Sequence, residues 1–508
     1  MAKGTKKIFG LFCALGLVSA STCVQANDIQ TYRQQHELEI LNDFRTFLSF
    51  PNVATNIADM EKNALWITSY IAKRGFTSEI VIEGGAPYVI AERTSPGATK
   101  TILIYAHFDG QPVAPENWAS PPFEPTLRTA SVEAGGDILD WGTVQSVNPE
   151  WRIFGRSAGD DKAPVIALMA ALDALAEAGT EPSVNIKLVL DGEEEAGSPT
   201  LDRILAKHGE KLAADLMLFC DGPMHQSRKR QLVFGVRGSM TVDLTAYGPS
   251  RPLHSGHYGG WAPNPSEKLM ALLVGMKDSE GNITVPGYSA PVRPITEAER
   301  RAIAALPNMD ASLKQELAVS KTDGSGKRLE EIVMGPSIIV KGFEGGGVGP
   351  KSRNIIMPSA TASLNLRLAP GQTPETVRAA LTSFFLDKGF SVFEREPTKA
   401  ERVAGDALYV DWRPGAYRAF RSNLDSQEAV KLISILNSLD GNNTLLTPTM
   451  GGSLPIYLFE DTFPEMPIVL LPIANHDNNQ HGRNENLRIQ NLWDAIDIYG
   501  AVLTHYGL

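Results

Sequence analysis

The sequence has 508 residues, 43% of them hydrophobic and 21% charged, with a formal net charge of −11. That length allows two or more domains with substantial cores, and the composition is that of a globular enzyme rather than a disordered chain. The acidic balance argues against nucleic acid as a partner and does not favour anionic membranes.

The chain opens with Lys3, Lys6 and Lys7, an apolar run from Ile8 to Val18, and the small-residue pattern Val24-Gln25-Ala26. This reads as a signal peptide over residues 1–26, cleaved after Ala26, and predicts a periplasmic or secreted protein. The run is shorter than the roughly 20 residues that span a bilayer, so no stable membrane anchor is expected. Of Cys13, Cys23 and Cys220, cleavage leaves only Cys220, which excludes an internal disulfide in the mature chain.

Residues 29–73 read as helical, with a break at Pro51 and a restart at Ile57. Residues 78–92 read as two strands turning at Glu83-Gly84-Gly85. The stretch Thr101 to Asp109 is a continuous apolar run ending in His107 and Asp109, as expected of a strand covered on both faces. Residues 111–151 are rich in Pro, Gly and Trp and are expected to be an irregular, site-lining loop. Gly155 to Pro164 carries Asp160 and Asp161 ahead of a helix from Val165 to Ala178, where Pro164 suits the first turn. The buried strand Val184 to Leu190 ends in Asp191-Gly192-Glu193-Glu194-Glu195, a crowd of carboxylates expected to face positive charge. Strand Leu216 to Cys220 ends in Asp221, and strand Ile468 to Ile473 leads to Asn475-His476-Asp477 and His481.

Several apolar strands therefore end in His, Asp or Glu. In parallel sheets the ligand site lies beyond the carboxyl ends of the strands. Imidazole and carboxylate groups suit zinc, and also manganese or cobalt. The candidate ligands are too many for one tetrahedral ion but suffice for two ions sharing a carboxylate, about 3.5 to 4 Å apart.

His107-Phe-Asp109, Gly-Arg-Ser-Ala-Gly-Asp160-Asp-Lys, Asp-Gly-Glu-Glu194-Glu195-Ala-Gly-Ser, Asp221 and His481-Gly-Arg-Asn-Glu together resemble the co-catalytic zinc metallopeptidases. That family includes carnosine dipeptidase, aminoacylase, succinyl-diaminopimelate desuccinylase and glutamate carboxypeptidase. The resemblance implies an α/β catalytic domain, a mixed sheet flanked by helices, with an inserted α+β (ferredoxin-like) lid and dimerisation domain. It implies that Asp160 bridges two divalent ions, zinc foremost, with His107 and Asp221 on one and Glu195 and His481 on the other. Asp109 would orient His107, and Glu194 would be the general base. It also implies a cis peptide between Asp160 and Asp161. The family usually has glycine where this chain has Ser157 and Ala163. An aspartate at position 221 resembles the dipeptidases and aminopeptidases, and many carboxypeptidases and deacylases have glutamate there.

The expected layout is a catalytic domain over 27–229 and 417–508, with the insertion over 230–416. The insertion reads as a strand from Gln231 to Tyr247, a helix 266–277, helices 297–305 and 310–319, a Gly-rich stretch 342–349, a strand 361–368, a helix 374–388 and a strand 390–394. This suggests an open β-α-β-β-α-β sheet with one strand unassigned. A helix over 426–439 follows in the catalytic domain. Pro252 to Gly260 resembles the lid motif of the dipeptidase branch, which implies that His254 stabilises an oxyanion in the partner subunit's site of a homodimer. Arg367 matches an arginine that binds the substrate's carboxylate. Gly452 and Ser453 resemble that branch's Gly-Gly-Ser loop, and Asn354 would line the lid side of the site.

The function so implied is metal-dependent hydrolysis of dipeptides or small peptides. Its alternatives are N-acyl amino acid deacylation or carboxypeptidase action and, in another class, a non-catalytic periplasmic metal- or peptide-binding receptor. Retention of Glu194 argues against the last, because a binder needs no base.

Overall fold

The computed structural model describes Met1 and residues 26–508. The predicted signal peptide lies outside the described residues except for these ends. No helix among the described residues is long and apolar enough to cross a membrane.

An eight-stranded mixed sheet forms the centre. Its middle four strands, Asn185–Asp191, Thr101–His107, Leu216–Phe219 and Ile468–Leu470, lie side by side and parallel. Their apolar runs are covered on both faces. Helices Ala26–Leu48, Ala163–Glu177 and Ile489–His505 pack together on one side, with Leu41, Phe44, Leu168, Leu492 and Trp493 in that core. Leu201–Leu212 and Ile456–Thr462 contribute Leu205 and Phe459 to a second cluster containing Tyr105 and Phe219. Helix Ala163–Glu177 is apolar almost all round, as a helix enclosed by two others must be. The parallel arrangement brings the ends of all four strands to one edge.

A five-stranded sheet with its own core, including Val242, Leu244, Leu364, Leu381 and Phe385, stands apart in the hydrogen-bond pattern. Four of its strands lie in the order Ser337–Glu344, Ser359–Leu368, Gly238–Tyr247, Asp406–Trp412, all antiparallel. With helices Pro265–Val274 and Pro374–Asp387, this is the open β-α-β-β-α-β arrangement expected. Three details differ from the sequence reading. The strand expected from Gln231 to Tyr247 is three strands: Gln231–Val233 belongs to the large sheet, Gly235–Val236 pairs with Phe420–Arg421, and only Gly238–Tyr247 enters the second sheet. The change of sheet therefore comes after residue 230. Phe390–Phe393 is an added edge strand parallel to Asp406–Trp412, which takes the fourth position instead. The unassigned strand is Ser337–Glu344, overlapping the Gly-rich stretch. The passage 111–151 is also less irregular than expected, because Thr126–Arg128 and Ile138–Leu139 join Arg152–Phe154 and Asn486–Arg488 in a small sheet.

Candidate metal centre

The edge of the large sheet gathers His107, Asp160, Asp221, Glu195 and His481. Within His107, Asp160 and Asp221, one ligand atom from each lies within 4.8 Å of the others, and the same holds for Asp160, Glu195 and His481. Asp160 belongs to both groups. His107 Nε2 is 2.7 Å from Asp160 Oδ1, and His481 Nε2 is 3.2 Å from Asp160 Oδ2 and 3.1 Å from Glu195 Oε2. Asp221 Oδ2 is buried and has no hydrogen-bond partner among the described residues, yet it faces His107 Nε2 at 3.9 Å. A buried anionic oxygen is costly to leave unpaired. A divalent ion fits these two three-residue groups, since both offer the N and O donors that such ions take.

The supports are built from the strand ends. Asp109 is fully buried, and its Oδ1 lies 3.2 Å from His107 Nδ1. The same carboxylate accepts the backbone N–H groups of Glu194 and Glu195, each at 3.0 Å. One side chain thus sets the imidazole and the turn that carries both glutamates. The peptide between Asp160 and Asp161 is cis. Ser157 has φ +63°, a conformation that favours glycine, and its hydroxyl donates to Asp109 O at 3.1 Å while accepting from Asn52 Nδ2 at 2.8 Å. Those bonds account for serine at this position.

Electrostatics in this region are dominated by burial among carboxylates. Burial, then the Asp160 charge, raises Glu195 to about 8 and Asp221 to about 7. Burial raises Glu194 well above the usual carboxylate range. Burial alone would lower His107, but its hydrogen bonds with Asp109 and Asp160 carry it well above its ordinary value. The Asp160 hydrogen bond raises His481 to about 9. The region attracts cations strongly.

Not every carboxylate of the 191–195 run faces this region, contrary to the sequence reading. Asp191 accepts from the hydroxyls of Tyr105 and Ser198 at 3.1 and 2.7 Å and from the Glu193 N–H at 2.8 Å. Glu193 accepts from Ala86 N–H, Tyr88 O–H and Thr200 N–H. Both turn into the protein, where polar donors satisfy them, and brace the Glu194–Ala196 turn.

Further residues join the centre that the sequence reading left without a role. Glu485 is buried and accepts from Arg156 Nη1 at 2.7 Å and from the N–H groups of Ser157, Gly159 and Asp160, each at 3.0 Å. It clamps the loop that presents Asp160. Gln111 donates to Glu195 Oε2 at 2.8 Å and Gln480 to Asp160 Oδ2 at 3.1 Å. Their nearness to His107 and His481 in sequence is the only signal that could have found them.

The remaining candidates form two separate groups. Arg367 Nη1 donates to Ser453 Oγ at 2.7 Å, so those two are brought together, while Gly452 is exposed. His254 and Asn354 sit on a two-stranded ribbon in which His254 pairs with Ile355 and Ser255 N–H donates to Asn354 O. His254 is exposed and accepts the Gly256 N–H through Nδ1. His254 is not among the side chains grouped around Asp160.

A parallel α/β edge carrying two carboxylate–imidazole groups that share an aspartate defines a dinuclear metallohydrolase. The chain belongs to Peptidase family M20/M25/M40, whose profile matches residues 103–505. It is 27% identical over 431 residues to the Cys-Gly metallodipeptidase DUG1 of Saccharomyces cerevisiae, covering 83% of this chain and 82% of that protein. It is 26% identical over 425 residues to the Beta-Ala-His dipeptidase of Homo sapiens, covering 82% and 76%. Among solved structures it is similar to an M20 family metallo-carboxypeptidase from Sulfolobus solfataricus, with TM-score 0.75, 26% identity, and coverage of 92% of this chain and 99% of that one.

Proposed function

We propose that the chain is a metal-dependent dipeptidase that hydrolyses the peptide bond of small peptides with a free C-terminus. The carrying observation is Asp160 shared between two three-residue groups, with Glu194 held beside them by Asp109. In this reading His107, Asp160 and Asp221 hold one divalent ion and Asp160, Glu195 and His481 the other, with zinc the best match to this donor set and manganese or cobalt as substitutes. The bound ions would lower the pKa of a water and polarise the scissile carbonyl.

The chain's own residues then carry the steps. Glu194 takes the proton from the attacking water and delivers it to the leaving nitrogen, and burial, which raises its pKa, suits a base that must give the proton back. Asp109 keeps His107 and the Glu194 turn in register. Arg367 and Ser453 receive the substrate's carboxylate. The five-stranded sheet serves as the lid and dimerisation unit, with His254 and Asn354 reaching the partner's site in a homodimer. Its edge strand Ser337–Glu344 leaves Ile339, Val340 and Phe343 exposed, which suits pairing with a second copy. The N-terminal pattern supports export to the periplasm or medium.

Carboxypeptidase action is the second reading, favoured by the likeness to the Sulfolobus enzyme. Hydrolysis of free dipeptides, N-acetylated amino acids and N-blocked dipeptides by the zinc- or manganese-loaded protein separates the two. Free dipeptides are expected to be cleaved fastest. Preference for blocked or acylated compounds would move the enzyme to the carboxypeptidase or deacylase reading.

A further inference from the structure

Arg237 stands where the chain passes from one sheet to the other, and none of the motifs above uses it. It follows Gly235–Val236 and precedes the strand Gly238–Tyr247. Its backbone N–H donates to Gly452 O at 3.0 Å, its Nε to Gly451 O at 3.1 Å and its Nη1 to Ser337 Oγ at 3.3 Å. The residue is thus fixed at three points, two of them on the loop that carries Ser453. Nη2 lies 3.4 Å from where a Cβ on Gly451 would stand, so the bare glycine lets the guanidinium lie against the loop. Nη2 has no hydrogen-bond acceptor among the described residues.

Arg367 reaches the same place from the adjoining strand. Ser337 and Ser239 are its register partners on either side, and its Nη1 holds Ser453. Both arginines are half-buried, and neither is in an ion pair among the described residues. Burial, then the charge of Arg367, holds Arg237 down to about 10, and burial lowers Arg367 as well. Two neighbouring cations that keep free donors and lack a counter-charge are costly unless an anion completes them, and forked guanidinium donors match a carboxylate. The same loop also reaches the residue after Asp221: Met450 Cε lies 2.8 Å from where a Cβ on Gly222 would stand.

We propose that Arg237 is a substrate-binding residue which, with Arg367, forms a two-arginine clamp for the terminal carboxylate of the substrate. The clamp rests on the reading above only in taking the substrate to be a small amide with a free carboxylate, and it holds equally for a deacylase or a carboxypeptidase. It selects substrates by their C-terminus, whereas a residue that only braced the loop would affect all ligands alike.

Binding tests this independently of turnover. The metal-loaded full chain is titrated calorimetrically with a dipeptide analogue whose peptide bond is replaced by CH2–NH, as the free acid and as the C-terminal amide. Wild type is expected to bind the acid about 10- to 100-fold more tightly, as charge-assisted hydrogen bonds imply. Arg237→Gln and Arg367→Gln should each weaken the acid by about 10-fold or more and leave the amide nearly unchanged. Arg237→Lys, which keeps the charge but not the fork, should retain part of the preference, and it preserves the test if the glutamine variant does not fold. Equal weakening of acid and amide in the Arg237 variants, or no acid preference in wild type, would overturn the clamp. Acid preference in a protein that fails to cleave free dipeptides would leave the clamp standing and overturn the dipeptidase reading instead.

Discussion

The edge of the large sheet and the crossing between the sheets are opposites in charge. Around Asp160 the fold crowds Asp221, Glu194 and Glu195 with only two imidazoles to balance them, and the carboxylates' pKa values rise. Around Arg367 it places Arg237 and leaves out any acid partner among the described residues. Each region is electrostatically incomplete in the way its ligand can complete: cations for the first, a carboxylate for the second. Surplus charge of one sign is therefore a better guide to function here than a cavity alone, since a cavity of about 1,140 Å³ lined by Arg33, Arg230, Asp440 and Asp494 mixes both signs.

The largest expected effect comes from the base. Glu194→Gln should lower kcat by about 10²- to 10⁴-fold, the range for a positioned general base, with metal content unchanged by elemental analysis. The metal groups should separate next. Asp160→Asn removes the shared ligand and should lose both ions, whereas Asp221→Asn leaves the Asp160–Glu195–His481 group and should keep about one ion per chain. Equal metal content in the two variants would break the assignment of Asp160 as the shared ligand.

A pH series sharpens the carboxylate side. In chelator-treated protein Glu195 rises from 4.5 to about 8 and Asp221 from 3.8 to about 7. A carboxylate whose folded pKa is raised favours the folded state below its unfolded pKa, and that advantage is lost as pH climbs through the folded value. His481, raised from 6.5 to about 9, loses its stabilising contribution over the same direction of change. The melting temperature of the stripped protein should therefore fall between about pH 4 and pH 9, and added zinc should remove most of that fall. Ion binding at 1,000 times its dissociation constant contributes about 4 kcal/mol. The smallest effect comes from the base of the loop that leads to Gln480 and His481. Asp477, held below its ordinary range against burial by Arg152, Asn475 and Arg488, should cost about 1 kcal/mol on replacement by asparagine, after allowance for its partial exposure. Because its folded pKa is depressed, the gap to wild type should be full above about pH 4 and close as pH falls further.

The metal side was legible because its signal repeats: continuous apolar runs predict buried parallel strands, and His107, Asp221 and the glutamates follow their ends directly. What periodicity does not carry is direction after a strand ends. Asp191 and Glu193 read like Glu194 and Glu195, and only their donors, the sequence-distant Tyr105 and Tyr88 and the nearby Thr200, show that they turn inward. The strand Ser337–Glu344 was hidden because it is an edge with most of its length exposed and a bulge between Val340 and Gly342, so neither burial nor alternation marks it. Arg237 was invisible for a related reason: one arginine between Val236 and Gly238 carries no pattern, and its meaning comes from Arg367 and the Gly451 loop more than a hundred residues away.

The most direct measurement is turnover of a free dipeptide by wild type and Glu194→Gln, each loaded with zinc and shown to hold the same number of ions. The account predicts cleavage by wild type and a loss of at least about 100-fold in kcat in the variant, with KM little changed. Equal rates in the two proteins at matched metal content would contradict it, because a centre that works without Glu194 is not the one these residues build.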